Sequence, residues 1–178
     1  MRRLKTTASL AGLSLAGLLL TGCAEDDLPP SPIGRTLPAG APADVTAIYD
    51  GDTFRLTLDD GTGITLRLLG VDCPETHAND KCARDEAAGH RSCEEQIPLG
   101  LKAKVRAQTL LANQRVSLEP GDGGFEWDVY DRLLAYVRLP DDRDLGLVLL
   151  EEGLCSDFSW RYPHARQAEY RAADTLGP

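Results

Sequence analysis

The chain of 178 residues is long enough for one folded domain and a targeting segment, and its 42% hydrophobic and 26% charged residues are ordinary for a globular protein. Its formal net charge is −9; without residues 1–22, which hold Arg2, Arg3 and Lys5 and no acid, 16 basic residues face 28 acidic ones, a balance of −12. Bulk charge of this sign excludes attraction of a polyanion by the overall field, so a phosphate-bearing partner requires a local arginine cluster or a bound cation.

Residues 1–5 are basic, and residues 8–20 form an apolar run too short to span a membrane comfortably. The run ends in Leu20-Thr21-Gly22-Cys23, which resembles the bacterial lipobox. The resemblance implies a signal peptide over 1–22 and acylation of Cys23, hence an extracytoplasmic protein anchored to a membrane by lipid. Ala24, where an aspartate would favour inner-membrane retention, points to the outer membrane if the cell is Gram-negative. Residues 23–43 hold Pro29, Pro30, Pro32, Pro38 and Pro42 and read as a tether. The folded domain is expected over 44–178.

The first half of that domain reads as β-structure. Residues 45–49 form a short strand, Asp50-Gly51-Asp52 is turn chemistry, and residues 53–58 alternate with Phe54, Leu56 and Leu58 on one face. Asp59-Asp60-Gly61 is a hairpin signal and residues 64–69 return. Residues 98–113 carry a helical pattern built on Leu101, Val105, Leu110 and Leu111. Strands follow over 115–118 and 133–139, with the glycine-rich loop 121–124 between them. A helix over 145–152 is closed by Gly153, and a last short helix spans 165–174. The order suggests an α+β architecture: a small five-stranded OB-like barrel with about three packed helices.

Two clusters stand apart from this scaffold. One is Asp50-Gly51-Asp52-Thr53, followed after a hairpin by Arg67-Leu68-Leu69-Gly70-Val71-Asp72-Cys73-Pro74-Glu75-Thr76. The other is Asp128-Val129-Tyr130-Asp131-Arg132-Leu133-Leu134-Ala135-Tyr136. Asp52 opens the second strand and Asp72 lies just past the third, so the hairpin sets their carboxylates side by side. Convergent carboxylates with backbone carbonyls suit a hard cation such as calcium, which accepts an irregular oxygen set. The fork of Arg67 suits bidentate contact with a phosphodiester, and Arg132 brings a second fork from another strand. Glu75, displayed by a Pro74 turn, is placed to orient or deprotonate a water.

These strings, in this order, resemble the three signature stretches of the staphylococcal nuclease family, over about residues 44–172. The resemblance implies an OB-fold barrel with three helices, one calcium ion, and hydrolysis of both DNA and RNA to 5′-hydroxyl and 3′-phosphate ends. It implies calcium ligation by Asp52, Asp72 and the backbone carbonyl of Cys73, which stands where the family usually has Thr. It also implies phosphate clamping by Arg67 and Arg132, a general-base position for Glu75, a supporting acid at Asp50 near the metal, and a nucleotide-side position for Tyr130. The rival function is a non-catalytic OB-type module that binds nucleic acid or protein at the cell envelope. Such a module would be expected to lack one of Arg67, Glu75, Arg132, Asp52 or Asp72, and all are present.

Residues 76–96 form a longer stretch than the family's usual loop and hold His77, Cys82, His90 and Cys93. Their spacing fits no standard zinc pattern. Outside the cytoplasm the four cysteines beyond Cys23 suggest two disulfides with three possible connectivities; Cys82–Cys93, closing a short loop, is the first choice and leaves Cys73–Cys155 as the remaining pair. Lys81, Arg84 and Arg91 are expected on a solvated loop, the alternative being contact with nucleic acid. Phe158, Trp160 and Tyr162 lie where the resemblance places tyrosines that flank the base or pack the barrel, and core packing is the default expectation. Nothing in the sequence signals an oligomer, so a monomer is expected.

Overall fold

The computed structural model describes residues 37–177. The expected signal segment 1–22, the acylation site Cys23 and most of the expected tether therefore lie outside the described residues. Within them the chain forms, in order, β1 (Ala41–Ile48), β2 (Thr53–Leu58), β3 (Gly63–Leu68), β4 (Val71–Asp72), α1 (Asp80–Ala87), α2 (Cys93–Leu111), β5 (Arg115–Glu119), β6 (Glu126–Trp127), β7 (Leu133–Arg138), α3 (Leu145–Glu151), β8 (Ser156–Asp157) and α4 (Gln167–Ala173). No described helix is long and apolar enough to cross a membrane.

The meander β1-β2-β3 is antiparallel, β5 adds to the free side of β1, and β7 pairs with β5. The sheet closes because β7 also runs parallel to β3, with Arg67 opposite Leu134. The result is a closed five-stranded barrel, as the OB-like reading anticipates. Inward residues follow the period-two pattern of the strands: Phe54, Leu56, Leu66, Leu118 and Leu133 have no exposed surface. Each such side chain contributes roughly 1.5–3 kcal/mol of apolar burial. A break in register between Val45 and Ala47 marks a bulge that turns β1 around the barrel.

Three elements differ from the sequence-based expectation. The strand β1 begins at Ala41, not at residue 45, and Ala41 and Ala43 are buried against β5. Proline and small residues make this segment read as tether, but the barrel edge needs a partner there. Helix α2 begins at Cys93, not at 98. A reciprocal Ser92–Glu95 capping box starts it, and Pro98 lies inside without a donor for the preceding turn. Helix α1 occupies a stretch expected as loop, which makes four helices among the described residues where about three were expected. Its start is set by Asn79, whose side chain accepts from the Lys81 and Cys82 N–H groups. Eight residues with only Cys82 buried give no helical stripe to read.

Both expected disulfides are present. Cys82–Cys93 staples α1 to α2, and Cys73–Cys155 fastens the end of β4 to the segment entering β8. Helix α3 is capped by buried Asp144, which accepts from Leu147 N–H and from the Tyr170 hydroxyl of α4. Arg166 pairs with that same carboxylate and lies over the Tyr136 ring. Beside them His164 is 4% exposed. One ring nitrogen shares a 2.8 Å hydrogen bond with Tyr136, while Nε2 has no hydrogen-bond partner among the described residues.

Candidate active site

One rim of the barrel gathers the chemistry. The β1–β2 turn contributes Asp50 and Asp52. Asp50 Oδ1 accepts from the Asp52 and Thr53 N–H groups at 3.1 and 2.7 Å, which fixes the turn. Asp52 is 1% exposed. Its Oδ2 accepts from Cys73 N–H at 2.7 Å, and its Oδ1 accepts from the Thr53 hydroxyl and pairs with Arg67 Nη1. Gly51 permits this approach, since a Cβ there would lie 2.7 Å from Cys73 Sγ and 2.8 Å from Ala103 Cβ.

Arg67 leaves β3 and bridges two acids. Besides Asp52 it meets Asp72 at 2.6 Å and donates to the Val71 carbonyl at 3.2 Å. Burial opposes its charge, but Asp52 and Asp72 outweigh burial and hold it firmly protonated. Burial also opposes ionisation of Asp52, yet Arg67 and the Cys73 N–H keep that carboxyl below the usual range. Asp50 goes the other way, pushed up to about 7 by burial and by the neighbouring Asp52 charge.

Glu75 follows Pro74 and is held from both sides. Asn79 Nδ2 donates to its Oε2 at 2.6 Å, and Lys81 Nζ lies 3.2 Å from its Oε1. Lys81 also reaches Asp72 at 3.1 Å and Asp85 at 3.4 Å. Burial disfavours the ammonium, but Asp72 and Glu75 raise its proton affinity above that of a free lysine. Helix α2 presses on the same loop. Gly100 stands where a Cβ would come within 2.3 Å of the Glu75 carbonyl oxygen.

Arg132 precedes β7. Its Nε donates to Asp128 Oδ2 at 2.7 Å, and Asp128 Oδ1 accepts from the Tyr130 and Arg132 N–H groups. The turn is completed by Asp131 at φ 58°. Tyr130 is 76% exposed; its ring lies 5.3 Å from the Arg132 guanidinium, at the rim and not among the cleft-lining residues.

Asp50, Asp52, Arg67, Asp72, Glu75 and Arg132 thus line one cleft of about 210 Å³. Cys73 also lines it, between its disulfide and the hydrogen bond to Asp52. Lys81 and Asp128 line it too. Lys81, expected on a solvated loop, is carried into the site by helix α1. Asn79 had one legible signal, its capping position, but not its reach to Glu75. Phe158 and Tyr162 border the cleft as well, and Trp160 is 71% exposed, so these aromatics are not simply core.

The donor chemistry of Asp52 and Asp72 fits a hard, oxygen-seeking cation. In the geometry described, Arg67 and Lys81 serve as their counter-charges. Among the described residues no group of three His, Cys, Asp or Glu side chains is arranged to hold a metal ion.

A comparison with curated protein sequences returned no match. The family model described as staphylococcal nuclease homologue matches residues 65–176, starting within β3 and taking in Arg67, Glu75 and Arg132. That match covers more than half of the chain and agrees with the closed barrel: the chain belongs to the staphylococcal nuclease family.

Proposed function

We propose that this protein is a calcium-dependent phosphodiesterase that hydrolyses DNA and RNA to 3′-phosphate and 5′-hydroxyl ends. A nuclease domain implies a nucleic-acid substrate, and the family match supports that class of function. The finer reading rests on one observation, the convergence of two arginines and a tethered glutamate on one cleft of about 210 Å³.

Arg67 and Arg132 approach that cleft from different strands, so their forks can grip the non-bridging oxygens from two sides. Their charge stabilises the trigonal-bipyramidal arrangement more than the ground state, because negative charge grows on those oxygens. Glu75 accepts or orients the proton of a water attacking phosphorus in line with the departing 5′-oxygen. Asn79 and Lys81 hold the Glu75 carboxylate in place for that task. Asp52, Asp72 and the Cys73 carbonyl would hold calcium, which when bound supplies further positive charge against the phosphoryl oxygens. Asp50 keeps the Asp52 turn in shape, and Tyr130 flanks the nucleotide at the rim.

The same proposal includes placement. Acylation at Cys23 and the proline-rich tether put a monomeric domain outside the cytoplasm on a membrane surface, the outer membrane in a Gram-negative cell.

The test is digestion of single-stranded DNA and RNA by the full-length protein with calcium and with a calcium chelator. Cleavage in calcium, loss on chelation, and at least a hundredfold loss in Glu75→Gln are expected. Cleavage indifferent to the chelator would overturn the metal assignment. Folded protein that binds nucleic acid without cutting it would favour the binding module.

A further inference from the structure

The cleft brings a cation of its own. Lys81, in the first turn of α1, sets its ammonium 3.1 Å from Asp72 Oδ2, 3.2 Å from Glu75 Oε1 and 3.4 Å from Asp85 Oδ2. Two features fix it there. Asn79 caps the helix through the Lys81 and Cys82 N–H groups, and Cys82 is stapled to Cys93 of α2. A positive charge among three carboxylates offsets their mutual repulsion as a bound metal ion would.

All four carboxylate oxygens of Asp52 and Asp72 are engaged. Asp52 Oδ2 accepts from the Cys73 N–H, and its Oδ1 accepts from the Thr53 hydroxyl and pairs with Arg67. Asp72 Oδ1 is met by Arg67 and Asp72 Oδ2 by Lys81. A neutral N–H or O–H donor leaves a carboxylate oxygen lone pairs for a metal. A full positive charge 3.1 Å away instead repels a divalent ion at the same oxygen. One of the two cationic contacts has to yield. Arg67 is poorly suited to do so: its side chain is 13% exposed, bridges Asp52 and Asp72, and donates to the Val71 carbonyl. Lys81 is well suited. Its side chain is 34% exposed, on a flexible four-carbon stem, and Glu75 and Asp85 stay within reach when Asp72 is given up.

We propose that Lys81 is an internal competitor of calcium, its ammonium neutralising Asp72 until the ion binds and withdrawing toward Glu75 and Asp85 when it does. The inference rests on the calcium reading above. It makes Lys81 a positioning residue that sets the calcium concentration at which the site loads. Whatever stabilises the calcium-free arrangement weakens the apparent affinity by the same factor.

The test is calorimetric titration of the full-length protein with calcium, without nucleic acid. Lys81→Met is expected to tighten Kd by roughly tenfold. Arg84→Met, which removes an exposed cation from the same helix, is expected to change Kd by less than about twofold. Lys81→Met should also lower the melting temperature in chelator, where the acids lose their shared counter-charge, yet gain more from saturating calcium than the wild type gains. A merely structural lysine would lower both temperatures and leave Kd unchanged. A measurement on the unsubstituted protein does not depend on any variant's folding. With isotope-labelled lysine, the Lys81 side-chain resonance should move on calcium saturation, while those of Lys102 and Lys104, which do not border the cleft, stay. An unchanged or weaker Kd in Lys81→Met, equal tightening in Arg84→Met, or an unmoved Lys81 resonance in calcium-bound wild type would each overturn the competition and leave the calcium reading in place. If neither the wild type nor Lys81→Met binds calcium, the calcium reading falls and the competition with it. Binding by Lys81→Met alone would support the competition in its strongest form.

Discussion

Arg67 and Arg132 look equivalent in the sequence, but their surroundings assign them different costs of removal. Arg67 is the counter-charge of Asp52, which is 1% exposed. Arg67→Ala leaves that carboxylate only its bonds from the Cys73 N–H and the Thr53 hydroxyl, and removes from the interior the one cation that bridges Asp52 and Asp72, so it should lower stability by roughly 3–5 kcal/mol in urea unfolding, besides costing activity. Arg132 pairs with Asp128, which keeps its bonds to two backbone N–H groups when the arginine is gone. Arg132→Ala should therefore lose roughly 10²–10³ in kcat with a much smaller stability change. Similar unfolding midpoints for the two variants would contradict this contrast. His164 supplies a pH prediction. Burial lowers its proton affinity below the ordinary value of 6.5, so protonation favours the unfolded chain. Its contribution is complete above that value and is lost progressively as pH falls below it. Asp50, pushed up to about 7, acts in the opposite direction over the same range, so the check is a difference: from about pH 7.5 to about pH 5.5 the melting temperature of His164→Asn should shift upward relative to that of the wild-type protein. Most site residues were legible because they sit in short strings at strand ends, where hairpin geometry fixes the neighbourhood. Lys81 was not, because nothing local to it says that a helix will swing it toward Asp72 and Glu75.

Helix α1 exists by virtue of an N-cap and a staple rather than an apolar stripe. Opening the staple should loosen it selectively. Cys82→Ser with Cys93→Ser frees a short loop and should cost about 3 kcal/mol. Cys73→Ser with Cys155→Ser frees a loop spanning 82 positions and should cost about 4.5 kcal/mol. Denaturant midpoints of the two double variants check the order. The first pair should also reduce cleavage, since Asn79 and Lys81 hold Glu75 from α1. Helix α2 acts on the same loop through contact. Gly100→Ala places a methyl group into the Glu75 carbonyl, so it should lower both melting temperature and kcat even though alanine favours helix. The start of β1 was hidden for a related reason. Ala41, Pro42 and Ala43 have weak strand propensity, and only pairing with β5 makes them strand.

At the scale of the molecule, an acidic chain approaching a polyanion should show an unusual salt response. Affinity for nucleic acid normally falls steeply as salt rises, in proportion to the phosphates neutralised. On the nuclease reading few cations grip the strand, and screening also weakens the repulsion from the acidic chain. KM should therefore vary by no more than about threefold between low and physiological salt, measured on one oligonucleotide. A steep tenfold-scale rise would contradict this and point to a basic track along the strand. The barrel closure has a consequence in time as well as in space. Arg67 lies on β3 and Arg132 at the entry to β7, and these strands meet only through the parallel pairing that shuts the barrel. Non-local pairings of this kind form late, after the local meander. On the nuclease reading, an incompletely folded chain therefore holds each arginine but not the pair, and gains its capacity to cut nucleic acid only with the final closure.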